Sequence, residues 1–191
     1  NISAYWLGFL MADVHVRRSY GYGQAALELH LGRKYLAHLR AFRRFIQSTH
    51  KVEYHANACR LSVRSNRIIE ALSKYGLKFD GVREPIPELI SNRHFWRGFI
   101  DGDGWLGIYK MGKNARVPIL GAVGTERIIN AFLEFAGNST QKPSRIKRCV
   151  KPTFRVGFSF RAARKLIRIL YTRHTVSLHR KQIIANRIMR E

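Results

Sequence analysis

Two aspartates at the ends of a repeated motif are the residues of this chain best placed to do chemistry. Asp13 closes Trp6-Leu7-Gly8-Phe9-Leu10-Met11-Ala12-Asp13, and Asp103 closes Trp96-Arg97-Gly98-Phe99-Ile100-Asp101-Gly102-Asp103. The tryptophan, glycine, phenylalanine and final aspartate recur at a constant offset of 90 (13 to 103). Each copy is largely apolar and sets small residues four apart, Gly8 and Ala12 in one, Gly98 and Gly102 in the other. Small residues let two helices approach backbone to backbone. If the motif helices pack on each other, their C-terminal ends meet and Asp13 lies beside Asp103. A carboxylate there faces the negative end of the helix dipole and unpaired carbonyls, which disfavours it. A divalent cation reverses that sign, because carboxylate and carbonyl oxygens together make a hard-oxygen site suited to Mg2+. Paired acids holding divalent metal are a device for hydrolysing phosphodiesters.

Composition agrees with such a substrate. The chain has 191 residues, with 35 Lys and Arg against 12 Asp and Glu, for a formal net charge of +23. So large an imbalance repels itself unless a polyanion is near, and nucleic acid is the leading partner. An acidic membrane is disfavoured: the basic residues are spread through the chain, and no apolar run reaches bilayer-spanning length. No signal peptide is evident. Cys59 and Cys149 form no C-x-x-C pair and read as small buried hydrophobes of a reducing compartment. The eight histidines lack zinc-site spacing, and no G-x-x-x-x-G-K-[ST] phosphate loop occurs.

The elements that must position the two acids form a duplicated α+β unit. Apolar spacing predicts, in the first half, helices over 3–13, 34–47 and 66–75 with strands over 16–22, 24–31, 51–55 and 59–64. The second half gives helices over 93–103, 125–137 and 161–171 with strands over 105–110, 116–123, 144–150 and 153–159. A last helix covers 178–190. The expected domains are 1–80, a linker over 81–92, and 93–191. Within the linker, Pro85 and Pro87 are expected to exclude helix.

Period-two alternation gives each half a sheet with one apolar and one basic face. Ala25, Leu27, Leu29 and Leu31 oppose Tyr20, Tyr22, Gln24, Glu28 and His30. Lys51, Arg60, Ser62 and Arg64 oppose Val52, Leu61 and Val63, while Arg145, Lys147, Arg155 and Ser159 oppose Ile146, Val156 and Phe158. A β-ribbon of this kind fits the major groove of duplex DNA. Arg17, Arg18, Lys110, Lys113, Arg116, Arg180 and Lys181 complete the expected DNA contacts.

These residues resemble the LAGLIDADG homing endonucleases in their monomeric, two-repeat form. The likeness covers nearly the whole chain. It includes the αββαββα order of each half, the proline-containing linker and the late element Leu178-His179-Arg180-Lys181. The stretch His94 to Gly104 matches best. In the first motif, Met11 stands where the family has an inner acid and Val14 where it has a final glycine. The resemblance implies tandem αββαββ(α) repeats about a pseudo-two-fold, with a central two-helix interface and saddle-shaped antiparallel sheets over a long pseudo-palindromic DNA site. It implies that Asp13 and Asp103 are catalytic and bind Mg2+, with Mn2+ or Ca2+ able to substitute in binding. The carbonyls of Ala12 and Gly102 would join the coordination. Arg64, Asn66, Arg67, Ser159 and Arg161 are the nearest matches to the family's basic or polar residues around the metals.

The implied activity is site-specific double-strand cleavage serving intron or intein mobility, by a monomer with access to DNA in a bacterial or phage cytoplasm or an organelle. A non-catalytic nucleic-acid-binding protein on the same scaffold, an intron RNA maturase or a DNA-binding regulator, is the alternative. Intein splicing itself is disfavoured, since the chain lacks a nucleophilic first residue and a terminal His-Asn.

Overall fold

A computed structural model of the chain describes residues 1–18, 25–78, 83–112, 115–137, 144–146, 152–173 and 175–191. Tyr20, Tyr22, Gln24, Lys113, Lys147 and Cys149 lie outside the described residues, as does the side chain of Arg18. The chain forms two compact units, one of Asp13–Glu84 and one of Asn1–Ala12 with Pro85–Glu191. The first motif helix therefore packs, up to Ala12, with the second half of the sequence.

In the Asp13–Glu84 unit, strand β1 (Val14–Arg18) begins directly after the first acid. It is followed by β2 (Ala25–Gly32), α2 (Leu36–Phe45), β3 (Val52–Tyr54), β4 (Ala58–Arg64) and α3 (Asn66–Ser73). The strands form one antiparallel sheet in the order β1-β2-β4-β3. Leu27, Leu29, Leu61, Val63 and Cys59 are buried on one face, with Leu39 and Phe42 of α2 and Ile69 of α3 in the same core. Ser65 starts α3 as its N-cap, its hydroxyl accepting from the Ile68 amide.

The other unit opens on α1 (Ile2–Asp13, here as far as Ala12). It continues with α4 (Pro87–Ile90), α5 (Arg93–Asp103), β5 (Gly104–Met111), β6 (Ala115–Gly124), α6 (Glu126–Phe135), β7 (Ser144–Arg145), β8 (Phe154–Ser159), α7 (Phe160–Tyr171) and α8 (His179–Arg190). Its antiparallel sheet has the order β5-β6-β8-β7, matching the first. One expectation is corrected here. Prolines do not keep the linker free of helix, because Pro87 opens α4 at a first-turn position where its missing N–H costs no hydrogen bond.

The motif copies fold alike in detail. Trp6 meets Phe9 edge-on at 5.9 Å between ring centroids, and Trp96 meets Phe99 edge-on at the same 5.9 Å. α1 is apolar on most sides and buried, as a helix without a polar face must be, whereas α5 is buried with His94, Arg97 and Asp101 among its core residues. They touch through glycine. A Cβ on Gly8 would stand 1.9 Å from the Phe95 carbonyl oxygen, and one on Gly98 would stand 1.9 Å from that of Tyr5. The first small residue of each expected pair, Gly8 and Gly98, thus makes the backbone approach.

Candidate metal and nucleic-acid site

The second motif carries two acids, and the structure gives them opposite fates. Asp101 is buried and accepts three hydrogen bonds: from the Tyr171 hydroxyl at 2.6 Å, the Leu178 amide at 2.6 Å and the Tyr5 hydroxyl at 2.8 Å. Burial pushes its carboxyl above the usual carboxylate range, against the pull of Tyr171, Leu178, Lys181 and Tyr5. Burial and the adjacent Asp101 charge push the Tyr5 and Tyr171 phenols well above their ordinary value, so both remain donors. One turn earlier Arg97 is also buried. It donates to the carbonyls of Val176 and Leu170 and lies over the Tyr5 ring. Asp103, two residues on, is exposed at the end of α5, and Asp13 is half-buried at the end of α1.

The helix-to-strand junctions that carry these acids are held by distant cations. The Lys181 ammonium donates to the carbonyls of Ile100, of Asp101 at 3.0 Å and of Gly104 at 2.7 Å. Lys181 is only 2% exposed, so the expectation of a DNA contact there is corrected: a buried ammonium needs its three donors filled, and the α5 terminus fills them. Arg83 donates to the Val14 carbonyl at 2.5 Å. Gly104 has no room for a side chain, since a Cβ would stand 2.6 Å from the Ile100 carbonyl oxygen. Val14, its counterpart in the first copy, is accommodated as the first residue of β1, paired with Leu29. Sequence reasoning missed Arg83, Asp101, Tyr5 and Tyr171. Only Lys181 had a signal, in the late basic element, and that was read as a surface feature.

On the first sheet, strand register brings several expected contacts to one face. Glu28 pairs with His15 and Ser62, and His30 with Arg60. Glu28 is itself 5% exposed, with its carboxylate 3.6–3.8 Å from Arg17, Arg60 and His30, and it accepts from the Ser62 hydroxyl. It therefore orders the cations around it and does not offer an open contact. Lys51 is exposed just before β3. Arg64 and Arg67 are exposed at the β4–α3 junction, where the Asn66 side chain accepts from the Ala25 amide at 2.8 Å and pins the start of β2.

The second sheet agrees in part. Arg155 and Ser159 lie opposite the buried Val156 and Phe158, and Arg161 is exposed in the first turn of α7. Arg145, however, pairs with Phe154, while Ser144 pairs with Arg155. Arg145 and Arg155 therefore fall on opposite faces. Lys110 pairs with Arg116, in phase with the buried pair Leu106 and Leu120, and Arg116 lies 4.0 Å from Glu191 at the end of α8. Lys110 and Arg116, expected as DNA contacts, are therefore on the other face of the sheet from Arg155. Arg180 is exposed on α8.

No protein-family profile matches the sequence. No curated protein matches it either. Solved structures do. The LAGLIDADG meganuclease I-AabMI bound to uncleaved DNA superposes with a TM-score of 0.67 at 12% identity, over 96% of this chain and 87% of that one. The LAGLIDADG homing endonuclease I-GzeII in complex with its DNA target gives 0.63 at 11% identity, over 95% and 87%. I-SmaMI bound to an uncleaved DNA target in the presence of calcium ions gives 0.59 at 13% identity, over 91% and 85%. With its two αββαββ repeats and paired four-stranded antiparallel sheets, this chain has the LAGLIDADG homing endonuclease fold.

Proposed function

We propose that the protein is a site-specific, divalent-metal-dependent DNA endonuclease in which Asp13 and Asp103 hold the metal. The observation that carries this reading is the crossing of α1 on α5. Gly8 and Gly98 meet the opposing backbone equivalently, and each stands at the same distance along its helix from the aspartate that ends it. Asp103 is exposed while its neighbour Asp101 is committed to the core, and Asp103 is the acid that the duplication repeats.

The donor set fits a hard divalent cation. Asp13, Asp103 and the carbonyls of Ala12 and Gly102 are all oxygen donors, and the Gly102 carbonyl is not among the three that Lys181 takes. Among the described residues no group of three or more His, Cys, Asp or Glu could hold a metal alone. Mg2+ is commonly held by one or two carboxylates, with water and a substrate phosphate completing its shell. When bound, such an ion stabilises the attacking and leaving oxygens of a phosphodiester displacement. The calcium ions of the similar I-SmaMI structure support a divalent ion here.

Duplex DNA as substrate is supported by the DNA targets in the similar structures and by the +23 charge. The sheet faces around Arg17, Arg60 and Arg155 supply the cations, with Glu28 aligning two of them. Exposed Arg64, Arg67 and Arg161 stand at the strand-to-helix junctions as further charges for phosphate. Met11 favours a second reading, a non-catalytic nucleic-acid-binding protein, because it replaces the inner acid of the first motif. The structure weakens that inference. At the equivalent position Asp101 is a core residue, and Met11 is buried too.

Selection of cleaved molecules from a random duplex library with Mg2+ tests the proposal. Recovery of one long, weakly palindromic site supports it. Tight binding without cleavage in any divalent ion favours the second reading.

A further inference from the structure

We infer that Arg83 and Lys181 are positioning residues that aim Asp13 and Asp103, each by fixing the carbonyl one residue beyond its acid; this rests on the endonuclease reading above. The acceptors are equivalent. Val14 and Gly104 are the first strand residues after the two motif helices, and their carbonyls receive the Arg83 guanidinium and the Lys181 ammonium. The donors come from equivalent places. Arg83 follows α3 and Lys181 follows α7, the last helix of the αββαββα order in each repeat. Yet the donors differ in type, in spacing from their acids and in setting, Arg83 half-buried and itself forming an isolated bridge with Leu77, and Lys181 buried inside α8. Nothing in local sequence forces both onto the same acceptor.

Electrostatics explains why a cation belongs there. The end of a helix is negative, and its last carbonyls have no partner within the helix. Lys181 takes two carbonyls of the last turn of α5 as well as that of Gly104, so helix end and strand start are tied to one atom. The residues between them are Gly102 and Asp103. Asp101 adds a second tie, accepting from the Leu178 amide at the start of α8. A carboxylate that must meet a metal and a phosphate needs such support, because misplacement of about 1 Å can cost about 100-fold in rate. Neither cation is needed as a DNA contact for this role.

The test is strand-resolved cleavage of a supercoiled plasmid carrying the selected site, in Mg2+ titrations, by the full chain and its Arg83→Met and Lys181→Met variants. Each variant should cut one strand about tenfold or more slowly, need more Mg2+ for half-maximal rate, and accumulate nicked circles. The two variants should favour opposite strands. Affinity for the site in Ca2+ should stay within about twofold, and Arg83→Lys and Lys181→Arg should recover part of the lost rate. Because Lys181 is buried, its Met variant can lose stability, and Arg83→Met then carries the test. Equal cutting of both strands at the wild-type Mg2+ requirement overturns the inference while leaving the endonuclease reading intact. The same strand bias in both variants also overturns it. Failure of the wild type to cut either strand sinks the endonuclease reading and the inference with it.

Discussion

The Cβ that Gly98 lacks would stand 1.9 Å from the carbonyl oxygen of Tyr5. Gly8 stands in the same relation to Phe95, so the crossing of α1 on α5 tolerates no side chain at either point. The neighbours are backbone atoms, which cannot rotate away. Gly8→Ala and Gly98→Ala should each cost at least about 3 kcal/mol, near the upper end for overpacking. Urea unfolding of each variant measures this. A loss below about 1 kcal/mol would mean the helices slide apart easily.

Asp101 should matter for the fold before it matters for chemistry. Asp101→Asn keeps the shape but removes the charge opposite Lys181 and sets an amide N–H2 among groups that donate: Tyr5, Tyr171 and the Leu178 amide. A loss of about 2–4 kcal/mol is expected. Equilibrium unfolding of Asp101→Asn beside Asp103→Asn checks it, since exposed Asp103 should cost under about 1 kcal/mol.

His38 makes the stability depend on pH. Burial on α2 pulls its imidazole down to about 4 from the ordinary 6.5. Between those values the unfolded chain takes a proton that the folded chain refuses. The stabilisation is therefore complete above about pH 6.5 and lost as pH falls through about 4, amounting to at most about 3 kcal/mol. His38→Gln should flatten the difference between unfolding midpoints measured at about pH 7.5 and about pH 4.5. An unchanged slope would place the acid sensitivity elsewhere.

The sheet faces predict which arginines set the salt dependence of DNA binding. Arg17→Ala, Arg60→Ala and Arg155→Ala should each weaken binding and lower the slope of log affinity against log salt by about one. Arg116→Ala should leave the slope unchanged, because Arg116 lies on the opposite face beside Glu191. Fluorescence anisotropy across a salt series decides. Equal slopes for all four variants would count against the sheet face as the binding surface.

Helix periodicity and duplication were enough to read the two αββαββ units, because each element has its own local pattern. The placement of Asp13 and Asp103 at the ends of the motif helices was legible for the same reason. The clamp around them was not, because Arg83 reaches Val14 and Lys181 reaches Gly104 across long stretches of chain, and charge alone suggested phosphate contacts. Arg145 was misplaced because alternation gives a phase within a strand but not the register between strands. A slip of one residue moves every side chain to the other face. For Lys110 and Arg116 the signal was present. They share the phase of Leu106 and Leu120, and counting by two from those leucines puts them on the helix-packed side.

Cleavage of the selected DNA site with Mg2+ by the wild type, Asp13→Asn and Asp103→Asn tests the role of the two acids most directly. Loss of double-strand cutting in both variants, with affinity in Ca2+ kept within about threefold, is the expected result. Unimpaired cutting by either variant would contradict it.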